Sequence, residues 1–198
     1  MMAELSTLKR KVSKIHKIYC ISGRTASGKS SITKLASEKL GLKVLKSYAT
    51  RPMRDGEEIE SDHIFIQPEE VEKYRGDMVA YTKIGEYEYF ATKEQLMNSD
   101  VYIIDPVGIY ELLLKTKGMD INIETIYVTV PKRTLIERAK QRKDDMEVFN
   151  KRFDSENQQF TDYEKSNMIH YRILNDGNIE DSVEKMIRII SKDREMNK

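Results

Sequence analysis

Near the start of the chain, Gly23-Arg24-Thr25-Ala26-Ser27-Gly28-Lys29-Ser30 fits the pattern G-x-x-x-x-G-K-[ST]. An apolar run, Lys17 to Ser22, precedes it, and Ile32, Leu35, Ala36 and Leu40 follow at helical spacing up to a stop at Gly41. Strand, glycine loop and helix in that order are the context in which this motif works, because the glycines let backbone N–H groups curl around an anion. The helix start adds its partial positive charge. Lys29 is then placed to reach β and γ phosphates, and the Ser30 hydroxyl to ligate Mg²⁺. The alternative, a glycine-rich turn with an exposed lysine, is the weaker reading, since a chance match occurs in only about one chain in a hundred of this size. Nucleoside triphosphate binding is the expectation, with Gly23 to Ser30 and the adjoining Ser31 as the ATP-binding residues.

The rest of the chain extends the same pattern. Val101 to Ile104 is a compact apolar strand ending in Asp105, and Ile126 to Val130 is another. After Pro131 a helix carries Leu135, Ile136 and Ala139 on one face, and proline suits a first helical turn because it has no N–H to leave unpaired. A last strand, Tyr171 to Leu174, stops at Asn175-Asp176-Gly177, and the final helix sets Ile179, Val183, Met186, Ile187 and Ile190 on one stripe. Strands alternating with helices predict a parallel sheet covered on both faces. Two segments break the rhythm. Between Thr50 and Leu96 the chain is polar with short period-2 pieces, which predicts a small mixed or antiparallel insert. From Arg138 to Lys165 it is densely charged and helix-prone, which predicts an element projecting from the core.

The charges balance: among 198 residues, 34 Lys and Arg stand against 33 Asp and Glu, for a formal +1. That argues against a nucleic-acid coat protein or an acidic tail, which need a sustained imbalance of one sign. The single Cys20 excludes an intramolecular disulfide framework, and a reducing compartment is expected. No run approaches the roughly 20 apolar residues that span a bilayer. The opening MMAELSTLKRKVSKIHK has no apolar stretch for a signal peptide, and its basic cluster reads as a solvated lead-in to the first strand. His16 and His170 have no partner at metal-ligand spacing. A cytoplasmic protein handling small nucleotides, without nucleic acid or membrane partners, is expected as a monomer or homodimer.

The loop alone leaves the destination of the γ phosphate open, because ATPases, GTPase switches and small-molecule kinases share it. Thr50-Arg51-Pro52-Met53-Arg54-Asp55-Gly56-Glu57 places two arginines three residues apart around a proline. Their guanidinium forks suit phosphate oxygens. Pairing with Glu57, Glu58 or Glu60 is an equally balanced reading of the same residues.

From about Lys17 to Ile190 the sequence resembles the guanylate kinases. The resemblance rests on Ser47-Tyr48-Ala49-Thr50-Arg51-Pro52-Met53-Arg54-Asp55-Gly56-Glu57, Asp62-His63-Ile64-Phe65, Gly85-Glu86-Tyr87-Glu88-Tyr89 and Ile103-Ile104-Asp105-Pro106-Val107-Gly108, in the family's order. It implies an α/β P-loop kinase fold: a five-stranded parallel sheet flanked by helices, a small mixed β/α acceptor-binding insert and a helical lid. As one domain, its core would comprise residues 17–49, 99–137 and 168–192, the insert 50–98 and the lid 138–167. By similarity, Arg51, Arg54 and Tyr89 hold the acceptor phosphate, His63 stands where the family has a phosphate-touching tyrosine, and Ser47 and Asp105 face the base. Arg138, Arg142 and Arg152 match lid arginines that join Lys29 in catalysis over the ATP phosphates, and Asn175 matches a residue near the adenine. ATP and Mg²⁺ are the implied cofactors, and GMP or dGMP the implied acceptor.

Two departures bear on the acceptor. Ala80 stands where the family carries a guanine-reading glutamate, and Ala91 where it carries a small hydroxyl. One extra residue between Gly85 and Tyr89 makes Glu86 and Glu88 the candidates to replace the missing carboxylate; the other reading leaves both solvated. Asp105 is likewise open, as an acceptor-base contact or as a water-mediated support for Mg²⁺. Three functions follow: a nucleoside monophosphate kinase, a kinase on this scaffold with another phosphorylated metabolite as acceptor, and a non-catalytic guanylate-kinase-like binding module.

Overall fold

The computed structural model describes residues 15–53 and 63–196. In chain order its elements are β1 (His16–Ser22), α1 (Lys29–Leu40), β2 (Val44–Leu45), β3 (Ser47–Ala49), β4 (His63–Phe65), a 3-10 segment (Pro68–Asp77), β5 (Met78–Ile84), β6 (Tyr87–Thr92), α2 (Lys93–Met97), β7 (Val101–Ile103), α3 (Pro106–Lys115), β8 (Ile121–Thr129), α4 (Lys132–Gln141), α5 (Met146–Lys165), β9 (Tyr171–Leu174) and α6 (Ile179–Met196). Five strands form one sheet in the order β2-β7-β1-β8-β9, and every neighbouring pair is parallel.

Helices bury this sheet on both faces, which is why its strands are almost continuously apolar. Ile18 and Cys20 of β1 point to one side, where they join Tyr102, Ile109, Leu112, Tyr127, Phe160 and Tyr163. Tyr19 and Ile21 point to the other, among Ile32, Ile126, Val128, Val183, Met186 and Ile190. The parallel sheet covered on both faces, expected from the alternating pattern, is the one observed, and its five strands are the number that the resemblance implies. β8 begins five residues before the predicted run at Ile126, because His16 pairs with Ile121 at the start of a long ladder. Its first half alternates Ile121 and Ile123 with Asn122 and Glu124, so it lacks a continuous apolar signature.

A second, four-stranded sheet has the order β4-β3-β6-β5. β3 pairs parallel with β4 and antiparallel with β6, and β5 pairs antiparallel with β6. A register shift between Met78 and Ala80 precedes the pairing of Ala80 with Ala91.

The highly charged segment does not simply project. Phe149 and Phe153 of α5 pack with Leu135 and Ala139 of α4 and with Ala26 of the glycine loop, while Phe160 and Tyr163 enter the main core. The Tyr127 hydroxyl donates to Glu164 at 2.5 Å, fastening the same helix to β8. These four aromatics lie at i, i+4, i+11 and i+14, one face of a helix, whereas the charges occupy the rest of its surface. No helix among the described residues is long and apolar enough to cross a membrane.

Candidate active site

The glycine loop leaves β1 at the carboxyl edge of the parallel sheet and enters α1 through Gly28, whose φ of 82° is left-handed. A side chain is excluded here twice over: the conformation disfavours it, and an added Cβ would lie 2.6 Å from Asn175 Nδ2. At Gly23 a Cβ would meet Ser27 Oγ and the Val128 carbonyl, each at 2.7 Å, so the loop packs directly on β8. Ala26 also takes a positive φ, 61°, a cost of about 1–2 kcal/mol for a non-glycine residue that surrounding contacts must hold. α1 has no side-chain cap and no acidic residue in its first turn, the condition in which a helix start best receives an anion. Lys29 Nζ reaches back to the Arg24 carbonyl at 3.5 Å.

The loop is braced from behind. Asn175 is 2% exposed; its Nδ2 donates to the Ser27 carbonyl at 2.8 Å, and its Oδ1 accepts from Ser182 Oγ at 3.0 Å. Arg138 donates to the Ser27 carbonyl at 3.3 Å and the Asn175 carbonyl at 2.8 Å. Arg24 turns toward α5, donating to Asn157 Oδ1 at 3.2 Å and lying over the Phe153 and Phe160 rings. These three sequence-derived candidates therefore hold the loop or α5 and do not line the cleft.

One cleft of about 570 Å³ is lined by the glycine loop, by Lys29, Ser30 and Ser31, by Arg142 and Arg152, and by Ser47, Arg51, His63, Tyr89 and Asp105. Residues scattered over more than a hundred positions thus converge. Arg142 pairs with Asp144 at 2.5 Å and Arg152 with Glu156 at 2.7 Å, so both arginines reach the cleft already partnered. Arg54 lies outside the described residues.

Beside the second sheet, Arg51 is 6% exposed, donates to the Pro52 carbonyl at 3.0 Å and stacks 4.9 Å from the centre of the Phe65 ring. The parallel register of β3 and β4 sets Ser47 beside His63, with Ser47 Oγ and His63 Nδ1 at 2.9 Å. Tyr89 lies across from His63, ring centres 5.6 Å apart. Asp105 caps α3, accepting from the Gly108 N–H at 2.7 Å and from Thr82 Oγ1 at 3.5 Å. Burial holds its carboxyl above the usual aspartate range, and the charge of Glu156 adds to the effect.

Neither glutamate of the β5–β6 hairpin takes the place of the absent carboxylate. Glu86 is exposed at the turn, and Glu88 pairs with Arg75 at 3.5 Å; neither lines the cleft. Ala80 does line it. Sequence reasoning missed Thr82, Tyr102, Glu156 and Gln159, all on the cleft wall. For Glu156 the signal was its i+4 spacing from Arg152.

No family model matches the sequence. A guanylate kinase of Fusobacterium nucleatum subsp. nucleatum is 28% identical over 136 residues, which cover 66% of this chain and 73% of that protein. The crystal structure of guanylate kinase from Anaplasma phagocytophilum superposes with a TM-score of 0.65 over 91% of this chain and 87% of the other, at 18% identity. In sequence and in fold the chain is similar to guanylate kinases. The sequence likeness supports a nucleoside monophosphate kinase function, and the fold is guanylate-kinase-like.

Proposed function

We propose that the protein transfers the γ-phosphoryl group of ATP to the phosphate of a nucleoside monophosphate, with GMP or dGMP as acceptor. The observation that carries this reading is the convergence of the Lys29 loop and the stacked Arg51 on one cleft. The acceptor phosphate is already ionised near neutral pH, so an oxygen of that group attacks the γ phosphorus directly. The bond to the β-phosphate oxygen breaks, and ADP leaves with the electron pair. No general base is required. Positioning and charge stabilisation by Lys29, Arg142 and Arg152 are what the site contributes.

Among the described residues no group of three or more His, Cys, Asp and Glu is arranged to hold a metal. The Ser30 hydroxyl, exposed at the cleft mouth, fits an Mg²⁺ that keeps waters and takes most ligands from phosphate. Bound there, the ion would neutralise charge on the β and γ oxygens. Arg138, Arg24 and Asn175 act through the loop and lid they hold. The insert, residues 50–98, and the lid, 138–167, are proposed to close on the core and exclude water, in the cytoplasm, where both nucleotides are available.

Paired Ala80 and Ala91 favour a second reading, in which the acceptor is another phosphorylated metabolite. ADP formation from ATP and Mg²⁺, measured against ribo- and deoxyribonucleoside monophosphates and a set of sugar phosphates, tests both. Turnover is expected with a purine monophosphate. Turnover confined to sugar phosphates would establish the second reading, and ATP binding without turnover on any acceptor would mark a binding module.

A further inference from the structure

Glu156 sits where the lid helix crosses the glycine loop. Its Oε2 accepts from the Thr25 backbone N–H at 3.3 Å, and its Oε1 accepts from Arg152 Nε at 2.7 Å. The side chain is 13% exposed, against 43% for Arg152. One carboxylate thus takes a loop amide and a lid guanidinium together, the two kinds of donor that a phosphoryl oxygen would take. Thr25 lies four residues before α1, at the end of the loop away from the helix start. The helix-start end serves the inner phosphates, so the Thr25 end is left for the terminal one. Asp105, on the acceptor side, feels the Glu156 charge. Glu156 lines the same cleft as the glycine loop and Asp105, across the path of a transferring group.

Resting on the kinase reading above, we propose that Glu156 is a positioning residue that occupies the γ-phosphoryl position while it is empty and yields Thr25 N–H and Arg152 to the terminal phosphate of ATP. Carboxylate and phosphate repel each other, so the two cannot share these donors. ATP must displace Glu156, and the displacement releases Arg152 toward the phosphoryl group. ADP does not extend to Thr25 and leaves the arrangement in place. After transfer, Glu156 recovers both donors. The lid does not depend on this contact for its docking, because Arg24 with Asn157, and the burial of Phe153 and Phe160, hold α5 independently.

Equilibrium titration of wild type, Glu156→Ala and Glu156→Gln with the Mg²⁺ complexes of a non-hydrolysable ATP analogue and of ADP tests the inference without requiring turnover. Both variants should bind the ATP analogue roughly tenfold more tightly, with ADP affinity kept within about twofold. The glutamine variant, of matching shape and without charge, keeps the test valid if alanine impairs folding. A merely structural fastening would show the opposite, weaker binding of both nucleotides in the alanine variant and recovery with glutamine. That result, or equal changes for the two nucleotides, or no change at all, overturns the role of Glu156 alone. A wild-type protein that binds neither nucleotide overturns it together with the kinase reading.

Discussion

Lys29→Ala is expected to lower kcat by about three orders of magnitude, the scale on which removal of a preorganised charge at a transferring group is felt. Lys29 opens α1 directly after the left-handed Gly28, so its amine is delivered to the cleft by a rigid corner rather than by a mobile tail. Negative charge on the β–γ bridging oxygen grows as the bond breaks, and a fixed ammonium there stabilises the transition state more than bound ATP. Alanine is the strongest helix former, so the substitution leaves the fold undisturbed. Steady-state turnover beside a thermal melt makes the check. A folded variant within tenfold of the wild-type rate would remove Lys29 from the chemistry.

Arg51→Ala should raise the acceptor KM about a hundredfold, the factor that the loss of a charged hydrogen-bonded pair worth about 3 kcal/mol implies, with the ATP KM almost unchanged. The guanidinium is held before any ligand arrives, by the Phe65 face and the Pro52 carbonyl, so little ordering entropy opposes phosphate capture. Arg51→Lys should recover only a fraction of the loss, because an ammonium neither stacks nor bridges two oxygens as a fork does. The two KM values measured separately decide the matter. An effect on ATP with the acceptor spared would reverse the assignment of the two ends of the cleft.

Local patterns made much of this molecule legible. The loop between β1 and α1 is a contiguous motif, and the apolar runs of β7 and β9 and the stripe of α6 carry their own periodicity. The pairing of Ser47 with His63 depends on a parallel register between β3 and β4 that no short-range pattern encodes. The dense charges of α5 mask the aromatic stripe that docks it, although Phe149, Phe153, Phe160 and Tyr163 share one helical face. The orientations of Arg24, Arg138 and Asn175 were not readable either. The motif specifies what the loop backbone does, while the direction of each side chain is decided by neighbours brought in by tertiary packing, here Asn157, Ser27 and Ser182.

The same packing lets a chain with a formal charge of +1 gather cations in one place. Lys29, Arg51, Arg142 and Arg152 face one cleft, while the carboxylates Asp144 and Glu156 pair with two of these cations.

Phosphorus NMR of the protein with ATP, Mg²⁺ and GMP follows the fate of the γ-phosphoryl group and addresses the central claim most directly. The account predicts ADP and GDP accumulating together, each GDP β-phosphate replacing one ATP γ-phosphate, without release of inorganic phosphate. Consumption of ATP to ADP and inorganic phosphate alone, with GMP untouched, would contradict it.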